Sequence, residues 1–94
     1  MKAVWNGEVI ADSVRTQVVD GYVYFPRDSV RMDLLSKAEK TPSDHECPHG
    51  VQFYDVRHGS LHSERAAWSY EKPRAAMQKV DQWVSFWGDV EIKE

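Results

Sequence analysis

Trp5-Asn6-Gly7-Glu8-Val9-Ile10 and Thr16-Gln17-Val18-Val19-Asp20-Gly21-Tyr22-Val23-Tyr24-Phe25 decide the fold class. In each, a dipeptide suited to two consecutive positive φ angles, Asn6-Gly7 or Asp20-Gly21, sits between apolar, β-branched or aromatic residues. That pattern is the strongest short-range signal for a two-residue β-hairpin. The chain is therefore expected to open as two successive hairpins.

The β pattern continues outward. Pro26 ends the second hairpin and is placed to start a single helical turn through Val30, after which Arg31-Met32-Asp33-Leu34-Leu35 reads as a strand. Val51-Gln52-Phe53-Tyr54-Asp55-Val56-Arg57 is strand-like, Gly59 offers a turn, and Leu61-His62 then Ala66-Ala67-Trp68-Ser69-Tyr70 resume the pattern as a central sheet. Residues 73–80 open on proline, contain good helix formers and place Ala76 and Val80 on one face, predicting one short helix. Trp83-Val84-Ser85-Phe86-Trp87, a Gly88-Asp89 turn and Val90-Glu91-Ile92 predict a closing pair of strands. Trp83, Ser85 and Trp87 share one face there, and Val84 and Phe86 the other. The expected class is mainly β and antiparallel, with one short helix.

Ninety-four residues suffice for one domain and one core, expected to span residues 1–94. Four tryptophans, four tyrosines and three phenylalanines supply much of its apolar surface. The net charge of −3 and the scatter of the twelve basic residues disfavour nucleic acid as a partner. No apolar run reaches the roughly 20 residues needed to span a bilayer, so no membrane association is expected. One cysteine forbids an intrachain disulfide, and polar Asn6 interrupts the start before an apolar signal core develops. The expected location is the cytoplasm.

Residues 36–50 form the only long polar stretch. Loops of about 15 residues are often functional. It holds Thr41-Pro42-Ser43-Asp44-His45-Glu46-Cys47-Pro48-His49-Gly50, where the single cysteine lies between two histidines and two prolines limit the backbone.

Trp5 to Ser13, Tyr24-Phe25-Pro26 with Asp28, Val30 and Arg31, residues 41–50, Ala66-Ala67-Trp68-Ser69-Tyr70, Pro73, Ala75-Ala76 and Phe86 occur in an order that resembles the domain of unknown function 427 family. Some catalogues label that family a nucleotidyltransferase domain. The resemblance covers nearly the whole chain and implies bent antiparallel sheets of β-tent, or Mss4-like, type around an aromatic-lined cleft. Some relatives of that architecture bind zinc through paired cysteines, which a chain with one cysteine cannot reproduce. The family pattern Cys-Pro-aromatic-Lys-Gly is shortened here to Cys47-Pro48-His49-Gly50, without the lysine.

Several chemistries compete for these residues. Cys47 with His45 or His49 is the candidate catalytic arrangement for thiol chemistry, the alternative being a buried, inert thiol. His45, Cys47 and His49, completed by Asp44, Glu46, His58 or His62, carry metal-ligand types in no recognised spacing, so neither a metal nor another cofactor is expected. Nucleotidyl transfer would need gathered carboxylates such as Asp28, Asp33 and Asp44 and a phosphate cradle, and no Gly-rich motif supplies one. Arg31, Cys47, Tyr54, Trp68 and Tyr70, positions shared with the family, combine a permanent cation with aromatic walls. They are the expected ligand-binding set for a small polar molecule. An interaction module, with Trp83 and Trp87 exposed, is a third reading, but no particular protein partner is indicated.

Overall fold

Asn6 and Gly7 adopt φ of 49° and 80°, and Asp20 and Gly21 adopt 53° and 85°, the consecutive left-handed pairs that a two-residue hairpin requires. In the computed structural model, which describes residues 1–94, these turns join β1 (Lys2–Trp5) to β2 (Glu8–Asp12) and β3 (Gln17–Val19) to β4 (Tyr22–Phe25). Then follow β5 (Leu35–Lys37), α1 (Pro42–Glu46), β6 (Val51–His58), β7 (Leu61–Tyr70), β8 (Val84–Phe86) and β9 (Glu91–Lys93). The strands form two antiparallel sheets, one of six strands in the order β3-β4-β8-β7-β6-β5 and one of three in the order β2-β1-β9. The architecture is mainly β, as the turn chemistry implies.

The main core lies between the sheets. Ala3, Trp5, Ile10 and Ala11 from the small sheet meet Phe25, Tyr54, Val56, Ala66, Ala67, Val84 and Phe86 from the large one. Side chains alternate between faces along a strand, so the neighbours of these residues point away from that core. Tyr24, Val51 and Trp68 gather on the opposite face with Met77 and Val80, which come from a 3₁₀ helix at Ala75–Val80. That helix and the segment around Cys47 cover only part of the outer face. No helix is long and apolar enough to cross a membrane.

Four sequence expectations are corrected. Arg31–Leu35 is not a strand: a 3₁₀ turn at Met32–Leu34 buries Leu34, and the strand begins only at Leu35. The Arg31 amide, donating to the Ile10 carbonyl at 2.8 Å, holds the chain against β2 and sets the bend. Residues 73–80 do turn helically, but as 3₁₀, with the Gln78 amide group hydrogen-bonded back to the Pro73 carbonyl. The polar stretch contains an α-helix, whose Thr41 hydroxyl accepts from the Asp44 amide while the Asp44 carboxylate accepts from the Thr41 amide. This reciprocal cap with Pro42 at the first helical position is a helix-start signal present in the sequence.

Finally, β8 and β9 form but do not pair. β8 lies between β4 and β7, whereas β9 crosses to β1. Gly88, at φ 62°, turns the chain out of one sheet toward the other.

The hairpin turn at Gly21 supplies a test of the fold. A Cβ there would meet no atom within 4 Å, so Gly21→Ala meets only the left-handed backbone penalty. The expected loss is about 1 kcal/mol, or roughly 4–8 °C in Tm for a chain of this size. Thermal unfolding followed by circular dichroism checks it, and an unchanged Tm would contradict the turn assignment.

Candidate functional site

Four neighbouring strands place one row of side chains across the outer face of the large sheet. Tyr24 of β4 is opposite Ser85 of β8, Ser85 is opposite Trp68 of β7, and Trp68 is opposite Phe53 of β6. Ser85 is fully buried, and its hydroxyl donates to the Val23 carbonyl. Its small side chain leaves room for Trp68 to lean across the row and donate its indole N–H to the Tyr24 hydroxyl at 3.3 Å. Burial pushes the Tyr24 phenol above its ordinary titration range, so it remains a neutral acceptor.

Alternation adds the next row. Tyr22, Tyr70, Val51 and Trp87 join Phe53 and Trp68 around a cavity of about 180 Å³ whose six lining residues are all apolar or aromatic. Trp68 meets Tyr22 edge-on at 5.0 Å between ring centres and Trp87 at 5.6 Å, with interplanar angles of 85° and 76°. Phe53 lies 6.0 Å from Trp68 and 6.1 Å from Trp87. Tyr22 and Trp87 are 41% and 45% exposed, so the cavity opens to solvent along their edges.

The wall at Phe53 is built around Arg65. Its guanidinium lies 4.0 Å from the Phe53 ring centre and makes a two-pronged pair with Asp44, at 2.9 and 3.0 Å. Its amide donates to the Asp55 carboxylate, and its carbonyl accepts the Trp87 indole N–H. Asp44 is 95% buried by this pairing, being only 5% exposed, and the Arg65 hydrogen bonds hold its carboxyl below the usual aspartate range against the opposing effect of burial. Beside Trp87, Ser63, Glu64, Arg65, Ala66, Gly88 and Asp89 line a second, polar cleft of about 440 Å³.

The residues expected to bind ligand are divided among three places. Trp68 and Tyr70 lie on the cavity wall, and Cys47 is half-buried against the same cluster. Tyr54 points to the other face of the sheet and is buried in the main core. Its hydroxyl accepts from Arg27 at 2.8 Å. Arg27 also donates to Ser69, Glu71 and the Gln82 carbonyl, and the Ser69 hydroxyl donates to the Glu71 carboxylate. Arg31 is exposed and ion-paired with Glu8 and Asp33, away from the cavity.

His45 is exposed on α1, while His49 packs on Tyr70 and accepts the Arg74 amide at its Nδ1. Neither hydrogen-bonds the Cys47 thiol, and no three His, Cys, Asp or Glu side chains are gathered in metal-binding geometry. Sequence reasoning missed Phe53 and Tyr22 as site residues, offered Trp87 only as an exposed docking residue, and missed Arg65. Strand alternation from Trp68 reaches the first three only once the pairing of β4, β6 and β8 is known.

Fold and site together define a mainly β protein with an aromatic cleft on the outer face of its larger sheet. The chain belongs to the family described as a domain of unknown function, DUF427, whose match spans residues 1–94. Among curated proteins, none matches the chain in sequence.

The Asp44–Arg65 pair gives a second test. Because Asp44 titrates lower in the folded protein, its pairing stabilises the fold above the unfolded value of about 3.9 and is lost as pH falls through the lower folded value. Asp44→Asn should cost about 2 kcal/mol near neutral pH, the usual penalty for breaking a buried pair reduced for the partly exposed Arg65. The gap between the two proteins should close below about pH 4. Denaturant unfolding across pH checks both, and a gap independent of pH would refute the ionic account.

Proposed function

We propose that the protein binds a small organic molecule, with a compact group seated against Trp68 and Trp87 and a more polar remainder directed toward the cleft beside Trp87. The observation that carries this reading is the open cavity of about 180 Å³ whose lining is wholly apolar or aromatic. A dry apolar cavity of about 150 Å³ accommodates benzene, so the space suits one ring or a group of that size. A nucleotide would need a pocket of about 300 Å³ or more. The larger adjoining cleft carries Glu64 and Asp89, whose charge opposes phosphates.

Both indole N–H groups at the site are used within the protein, Trp68 toward Tyr24 and Trp87 toward Arg65. Apart from the Tyr22 and Tyr70 hydroxyls, recognition of the seated group therefore rests on ring faces and shape. Selectivity for the polar remainder falls to Ser63, Glu64, Arg65 and Asp89.

A saturable change in tryptophan fluorescence with benzyl alcohol or another single-ring compound is the expected result. Trp87→Ala, which removes an exposed wall, should weaken binding at least about tenfold, equivalent to 1.4 kcal/mol. Retained affinity in Trp87→Ala would place the ligand elsewhere.

A further inference from the structure

Resting on the reading of the aromatic cavity as a binding site, we propose that the group it receives is a methylated ammonium, as in a choline-like molecule. The walls present π faces and edges and no free indole donor, because both indole N–H groups are spent on protein acceptors, which leaves the Tyr22 and Tyr70 hydroxyls as the polar atoms of the lining. Trp68 stands nearly perpendicular to Tyr22 and to Trp87, so the rings enclose the space from different directions. A quaternary ammonium cannot donate hydrogen bonds and is attracted to the negative faces of such rings. Enclosure by several rings is the arrangement that recognises it.

The surrounding charge has the matching sign. Arg65 is the cation nearest the Phe53 wall, and the Asp44 carboxylate neutralises it at 2.9 Å. Asp55 accepts from the Arg65 backbone, and Glu64 and Asp89 line the cleft that shares Trp87 with the cavity. The cleft beside Trp87 thus carries two carboxylates, Glu64 and Asp89, and its one cation, Arg65, is already paired with Asp44. The Phe53 ring already carries a cation in the guanidinium of Arg65, 4.0 Å from its centre. On the far side, beyond Tyr70, Lys72 and Arg74 are exposed, and neither lines the cavity.

The test compares choline with its uncharged isostere 3,3-dimethylbutan-1-ol and with benzyl alcohol, by tryptophan fluorescence and by the NMR shifts of the ligand methyl protons. Choline should bind at least tenfold more tightly than the isostere. Its methyl resonances should move upfield in the ring currents, and both effects should be lost in Trp87→Ala. Raising the salt concentration should weaken choline but not benzyl alcohol. Equal affinity for choline and the isostere, or binding of benzyl alcohol alone, overturns the cation assignment while leaving the cavity a ligand site. If none of the three binds, the site reading and the cation assignment both fail.

Discussion

The six-stranded sheet has two apolar faces, and the chain has little left with which to cover the second. One face is closed by the three-stranded sheet, which contributes Trp5, Ile10 and Ala11 to the shared core. The other is closed only in part, by Met77 and Val80 from a single 3₁₀ helix and by the segment around Cys47. Exposing aromatic surface forgoes roughly 25 cal/mol per Å² of stabilisation. Edge-to-face contacts of Trp68 with Tyr22 and Trp87, and tilted contacts of Phe53 with Trp68 and Trp87, offset part of that by letting the rings bury one another. The cavity is what remains where these rings meet around a space none of them fills.

This arrangement explains which features are legible in sequence. Local turn chemistry specifies both opening hairpins, because Asn6-Gly7 and Asp20-Gly21 need only their own backbone angles. The division of Trp83, Ser85 and Trp87 from Val84 and Phe86 also follows from period-two alternation, and the two sets do reach different faces. Pairing is a different matter. Nothing within residues 83–92 reveals that β8 is inserted between β4 and β7 while β9 leaves for β1, since both choices satisfy the same local pattern. The helix at Pro42–Glu46 was readable from Thr41, Pro42 and Asp44, but five residues leave no apolar periodicity to strengthen that signal.

The same distinction divides the site. Trp68 and Tyr70, two apart on one strand, share the cavity wall as alternation requires. Tyr54 is one residue from Phe53, and that single step takes it through the sheet to the main core. Arg27, rather than Arg31, reaches Tyr54, a long-range contact that depends on how the proline-led turn after β4 crosses the sheet. Residue type alone cannot choose between two arginines so close in sequence.

Arg65 shows why the cavity wall and the helix α1 behave as one unit. β6 and β7 pair regularly at Tyr54 and Ala67 and again at Val56 and Ser63, so the bulge between them leaves Arg65 in a left-handed conformation at φ 52°. For a residue with a Cβ that conformation costs about 1–2 kcal/mol. The bulge directs the Arg65 amide to Asp55, its carbonyl to the Trp87 indole and its side chain across Phe53 to Asp44. Asp44 in turn caps α1 through Thr41. A regular strand would send amide and carbonyl into the ladder and release Trp87 from its acceptor, so the strained backbone of one residue positions two rings of the cavity and anchors the helix beside them.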